Sequence, residues 1–173
     1  GRLSDTISIG AAYSTKVKMG KFKKYSGLFA ADGDFNIPSN YSVGVAFMPD
    51  AAWTIALDYG RINYAGVAAV GNASLPVAPL GAPNGPGFGW ANIDVLKIGA
   101  AWRMNDWLTL RAGYNRGENP IGSADVTFNI LAPGVMKDHY TLGFTWNLSP
   151  DNELTGAFII APRQSVTGPS LFN

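Results

Sequence analysis

The sequence predicts an all-β protein, an antiparallel up-and-down transmembrane β-barrel of which seven strands are present. Three observations predict it: apolar residues recur at every second position, short and long connections alternate, and charges within the strands keep to one face. Composition bounds the alternatives. Of 173 residues, 47% are hydrophobic and only 14% charged, which excludes a disordered chain. The net charge of +1, from 13 basic and 12 acidic residues, gives no electrostatic reason to expect a nucleic-acid partner. Without cysteine there is neither a disulfide nor thiolate chemistry. The mean hydropathy is mildly positive, yet no apolar run is long enough for a transmembrane helix.

The first strand is read over Thr6–Lys16, where Ile7, Ile9, Ala11 and Tyr13 alternate with Ser8, Gly10, Ala12 and Ser14. The same period predicts strands at Tyr41–Met48, Trp53–Ile62, Asp94–Met104, Leu108–Arg116, Tyr140–Leu148 and Leu154–Pro162, with no convincing helix. Most are longer than the usual globular strand of about five or six residues and approach the nine to eleven that cross a bilayer at a tilt. Strands two and three join through Pro49-Asp50-Ala51-Ala52, four and five through Asn105-Asp106-Trp107, and six and seven through Ser149-Pro150-Asp151-Asn152-Glu153. These are tight turns by their Pro, Asn and Asp content. The connections Val17–Ser39, Asn63–Ile93 and Gly117–His139 are long. In an up-and-down barrel that alternation puts all short turns on one rim and all long loops on the other.

Within the strands, Leu96, Ile98, Ala100 and Trp102 oppose Lys97, Gly99, Ala101 and Arg103, and Leu108, Leu110, Ala112 and Tyr114 oppose Thr109, Arg111, Gly113 and Asn115. Strand three repeats the pattern with Asp58 on the small-residue side. A Lys or Arg facing lipid near the midplane costs about 2–4 kcal/mol, so the apolar face is read as lipid-facing. Asp58, Lys97, Arg103 and Arg111 are then the candidate lumen-lining residues, either shaping the conduit or pairing with one another or a plug. Trp53, Trp107, Trp146 and Phe47 lie beside the short turns, while Tyr13, Tyr59 and Tyr114 lie toward the long loops, forming two candidate aromatic girdles. Seven strands leave two unpaired edges in hydrocarbon, so residues 1–173 are read as one part of a larger closed barrel.

Several segments resemble one family. Leu3-Ser4-Asp5-Thr6-Ile7-Ser8-Ile9-Gly10-Ala11-Ala12-Tyr13-Ser14 with its lysine-rich continuation resembles the long-chain fatty acid transporter family of outer-membrane proteins (FadL/TodX type). So do Ile37-Pro38-Ser39-Asn40-Tyr41-Ser42-Val43-Gly44 and Trp53-Thr54-Ile55-Ala56-Leu57-Asp58-Tyr59. The most specific match is Leu96-Lys97-Ile98-Gly99-Ala100-Ala101-Trp102, then Asp106-Trp107-Leu108-Thr109-Leu110-Arg111-Ala112-Gly113-Tyr114 and Asn119-Pro120-Ile121. Asp138-His139-Tyr140 through Pro169 extends it. The resemblance implies the C-terminal part of a 14-stranded barrel of the bacterial outer membrane, passing long-chain fatty acids or other hydrophobic compounds by passive diffusion without a cofactor. It also implies that the N-terminal hatch and the final strand are absent from residues 1–173. Membrane lipid, the remaining strands of the barrel and a hydrophobic small molecule are the implied partners. The loop with Pro76, Pro79, Pro83 and Pro86 departs from the family pattern. A structural or adhesive barrel and a water-filled porin are the alternatives.

Other motifs divide between readings. Lys16, Lys18, Lys21, Lys23 and Lys24 fit contact with lipopolysaccharide at the outer rim, or a solvated loop. Gly85-Pro86-Gly87-Phe88-Gly89-Trp90 is glycine-rich, but prolines and the lack of a following helix argue against a phosphate loop. Phe88 and Trp90 are candidates for contact with an apolar solute or for anchoring the loop to the rim. The single histidine, His139, has no ligand-spaced partner, and no Gly-x-Ser-x-Gly elbow occurs, so neither a metal site nor an enzyme is expected.

Overall fold

The computed structural model describes residues 1–75 and 78–170; Pro76 of the proline-bearing loop and the chain end at Leu171, Phe172 and Asn173 lie outside the described residues. Seven strands form one sheet in sequence order: β1 (Ile7–Ser14), β2 (Asn40–Phe47), β3 (Trp53–Ile62), β4 (Ile93–Arg103), β5 (Leu108–Gly117), β6 (Asp138–Ser149) and β7 (Asn152–Ile160). Every neighbouring pair is antiparallel. This is the expected up-and-down order, and each strand boundary falls within two residues of its expected place. β6 and β7 each begin two residues early. Asp138 and Asn152 are polar and hide from a hydrophobic period, but Asp138 pairs with Arg116 and Asn152 with Ser149.

The short turns are made as their composition requires. The Asp50 carboxylate accepts from the backbone N–H groups of Ala52 and Trp53 at 2.8 and 2.9 Å, and the Asn105 side chain accepts from Trp107 and Leu108. At the third turn Asn152 donates to the Ser149 hydroxyl at 2.9 Å, beside an irregularity of register between Asn147 and Ser149. Side-chain acceptors here replace ladder bonds that the turning backbone gives up.

The register makes two faces of different chemistry. On the apolar face Val43, Tyr59 and Leu96 stand in one row, Val45, Leu57 and Ile98 in the next, and Phe47, Ile55 and Ala100 in a third. Trp53 and Trp102 stack with ring centroids 5.4 Å apart and planes 6° from parallel, while Trp107 and Trp146 meet at 6.3 Å. At the long-loop ends of the strands Tyr41 meets Tyr59 and Tyr114 meets Tyr140. Both aromatic belts therefore lie where the alternation places them. The apolar face is left open to its surroundings: Leu57, Ile98, Leu142 and Phe158 are all exposed.

The long connections contain short helical turns that the period did not predict, including Ala68–Gly71 and Lys23–Tyr25. Runs of three or four residues are too short to display a 3.6-residue repeat. The buried apolar residues lie mainly in these connections and the strand ends that meet them: Ala30, Val67, Ala69, Val70, Phe88, Ile93 and Ile121. The three loops thus share a small core, while the sheet leaves its broad apolar face bare.

Two substitutions test the face assignment in the full-length barrel. Ile98→Lys is expected to lower unfolding free energy in lipid vesicles by about 2–4 kcal/mol. Thr54→Lys, on the opposite face, is expected to change it far less. Equal losses would contradict the assignment.

Candidate functional site

The four charged residues singled out from sequence share the polar face. Asp58 stands directly opposite Lys97, Lys97 opposite Asn115, and Asn115 opposite His139, so a polar row crosses β3 to β6. The opposition does not produce an ion pair. A Cβ built on Gly44 would collide with the Asp58 carboxyl group, so that carboxylate lies across Gly44, toward β2 and away from Lys97. Gly44 gives this close approach its room, and a side chain there would turn the Asp58 carboxyl aside. Further along the row, Asn115 Oδ1 and His139 Nδ1 are buried without a hydrogen-bond partner.

Next to this row the polar face is lined by small side chains. Ala46, Ala56, Gly99, Gly113 and Thr141 follow one another across β2 to β6. Ala56, Gly99, Gly113 and Thr141, with Thr54, Ala101, Gly143 and Ala157, bound a cavity of about 410 Å³ that Arg111 also lines. Small residues at consecutive cross-strand positions leave a shallow trough without side chains to block it. On the far side of the trough Arg111 stands opposite Ala101 and Gly143 and donates to the Thr145 hydroxyl at 2.7 Å, and Arg103 stands opposite Thr109.

The loops close the long-loop end with an aromatic cluster. Phe22, Phe29 and Phe35 come from the first long loop, Phe88 and Trp90 from the second, and Phe128 from the third. Phe29 meets Phe35 at 5.2 Å and Phe88 meets Phe128 at 5.4 Å, with Phe29 and Phe35 each 6.4 Å from Phe88. Phe88 is 7% exposed, so its ring is engaged by neighbouring loops. Trp90 packs edge-on against Tyr64 at 4.9 Å, and burial pushes the Tyr64 phenol pKa up.

The residues that order this cluster were not singled out from sequence. Asn129 is 4% exposed; it accepts from Trp90 Nε1 at 2.6 Å and donates to the Phe88 carbonyl at 2.6 Å. Asp125 accepts from the Ser74 backbone N–H at 2.7 Å, and its carboxyl lies against Gly89, whose φ of +69° any side chain would strain. One asparagine and one aspartate therefore bind the glycine-rich segment to the third loop. No sequence signal separates Asn129 from an ordinary loop asparagine.

A second missed feature did leave a trace, a repeated Tyr-x-Arg on alternate strands. Tyr59 and Arg61 both donate to Asp94 Oδ1 at 2.8 Å across β3 and β4. Across β5 and β6 Tyr114 donates to Asp138 Oδ1 at 2.6 Å and Arg116 lies 3.5 Å from the same oxygen. Each clasp sits at the base of a long loop. The loop lysines divide: Lys16 donates to the Gly66 carbonyl and Lys21 pairs with Asp32, while Lys18, Lys23 and Lys24 are exposed.

Solved structures share this arrangement of strands and loops. The chain superposes on the toluene transporter TodX of P. putida with a TM-score of 0.61 at 20% identity, covering 95% of this chain and 41% of that one. It covers 94% of its length on the Ralstonia pickettii toluene transporter TbuX, with a TM-score of 0.60 at 17% identity and 41% of that chain. A Pseudomonas aeruginosa FadL homologue gives 0.61 at 17% identity, covering 89% of this chain and 40% of that one. The fold is that of a partial FadL-type barrel. The chain spans about two fifths of the length of these structures. No protein-family model and no curated protein sequence matches it.

Asn129→Ala is expected to release the glycine-rich segment, because Trp90 Nε1 and the Phe88 carbonyl lose their buried partner, at a cost of about 1–3 kcal/mol. Hydrogen exchange of residues 85–90 should accelerate while β4 and β5 remain protected. Unchanged exchange in the segment would show that Asn129 does not hold it.

Proposed function

We propose that residues 1–173 form the C-terminal part of a single outer-membrane barrel that passes hydrophobic compounds by passive diffusion, with the polar face lining its lumen. The observation that carries this reading is the register. Six consecutive antiparallel pairings keep one face apolar at its centre and gather Asp58, Lys97, Arg103 and Arg111 on the other. That is the chemistry of a barrel with lipid outside and water or a solute inside. The toluene transporters and the FadL homologue with the same fold support a hydrophobic solute.

The hatch and the final strand then belong to the polypeptide beyond this sequence. β1 and β7 lie at the ends of the sheet, and their outer backbone groups need partners inside a bilayer, since each unsatisfied one costs several kcal/mol. Long-chain fatty acids are the substrate class we assign, on the resemblance of the strand segments. In this reading an apolar solute meets the aromatic cap of the loops first, where Phe88 and Trp90 contribute, and then moves along the small-residue trough without a covalent step or a cofactor. Lys18, Lys23 and Lys24 face the lipopolysaccharide of the outer leaflet.

Reconstitution of the full-length protein tests the reading. Liposomes containing it should take up oleate or toluene faster than protein-free liposomes and show no comparable gain for glucose or sucrose. Sugar flux equal to that of oleate would favour a water-filled porin, and no flux of any solute a structural or adhesive barrel. The topology is checked by single cysteines: a water-soluble maleimide should label Arg111→Cys and spare Leu110→Cys, and the reverse would invert the faces.

A further inference from the structure

Ala31, Asp32 and Gly33 turn the wrong way for L-residues. Their φ values are +57°, +58° and +83°, and the ψ values of +44° and +40° at Ala31 and Asp32 are those of a left-handed α-helix. The turn closes its own hydrogen bonds: the Gly33 N–H donates to the Phe29 carbonyl at 3.1 Å and the Asp34 N–H to the Ala30 carbonyl at 3.3 Å. Gly33 adopts this backbone freely and Asp32 tolerates it, but the Ala31 Cβ crowds the following carbonyl oxygen. Left to local preference, Ala30-Ala31-Asp32 would turn the right-handed way.

What holds the left-handed form lies in the second long loop. The N–H groups of Ala31 and Asp32 donate to the carbonyls of Ala82 and Gly81 at 2.9 Å each. A right-handed turn would aim both donors elsewhere, so the two bonds and the two strained residues are made or given up together. The strain of one such residue and the net gain from one hydrogen bond are of similar size, which puts the turn near balance between two discrete forms. The Lys21–Asp32 ion pair, exposed on both sides, tips that balance little. Two rings ride on the turn: Phe29 and Phe35 flank it and each lies 6.4 Å from Phe88, which is buried.

We propose that the turn at residues 31–33 is a latch. Docked on Gly81 and Ala82, it closes Phe29 and Phe35 over Phe88; reverting to the right-handed form, it opens the seam between the first and second loops to an apolar solute that takes the place of the two rings. A solute that touches Phe88 binds the open form alone, so its own binding shifts the balance and no energy source is needed. The latch follows from the backbone geometry, and its role in admission rests on the proposed passage of hydrophobic compounds.

The test uses the full-length barrel in liposomes, with hydrogen exchange of residues 29–35 and 85–90 read without solute and toluene uptake read separately. Ala31→Gly removes the strain and keeps the donor, so it slows exchange in both segments about three- to tenfold and slows uptake. Gly81→Ala places a Cβ 2.5 Å from the Ser26 carbonyl oxygen at a φ of +82°, so it undocks the latch and speeds both. Gly20→Ala, at a loop glycine with open space around it and no positive φ, changes neither. Glycine at position 31 that speeds exchange, as it does in an ordinary loop, overturns the latch, and so does Gly81→Ala with exchange unchanged. Exchange that shifts as expected while a conducting barrel keeps its uptake rate overturns the gating role. A barrel that passes no hydrophobic solute counts against the transport reading, and exchange then decides the latch alone.

Discussion

The structure depends on one constraint: backbone N–H and C=O groups that lack water must find partners on the neighbouring strand. The six antiparallel ladders meet it for the interior of the sheet. Side chains alternate faces with a period of two, so pairing also fixes which residues share a surface, and a slip of one residue would exchange the surfaces wholesale. Leu57 opposite Ile98 and Asp58 opposite Lys97 are two consequences of the same register.

The two ends of the sheet solve different problems. At the short-turn end the side chains of Asp50, Asn105 and Ser149 accept from backbone N–H groups two or three residues on. At the other end closure is non-local. The Asp94 and Asp138 clasps tie adjacent strands where the loops begin, and the loops bury their own apolar residues. The sheet keeps its polar face lined by small side chains, while most side-chain burial in the chain happens above it. Such a division leaves a trough of small side chains along the sheet and an aromatic cluster at its long-loop end.

The strands were legible because a half-exposed strand writes its environment into alternate residues. Ile7 to Tyr13 and Leu96 to Trp102 show it without interruption, and Lys97 and Arg111 fall together on the other face. The loop core was not legible, because its stability comes from contacts between segments far apart in sequence. Asn129 joins Trp90 across 39 positions, and Asp125 joins Ser74 across 51, through loop residues whose types alone are unremarked in any loop. The missing Asp58–Lys97 ion pair shows the same limit. Sequence placed the two residues on one face and the register sets them opposite each other, but the carboxylate lies across the bare backbone of Gly44 on a third strand.

The first and second long loops are joined by main chain as well as by side chains. Ala31 and Asp32 adopt a left-handed conformation and donate to the carbonyls of Ala82 and Gly81 at 2.9 Å each, while Gly81, itself at positive φ, lies close against Ser26. Transplanting one of them into another barrel would carry half of an interlocked pair, so inheritance and engineering must treat the two segments, separated by two whole strands, as a single heritable unit.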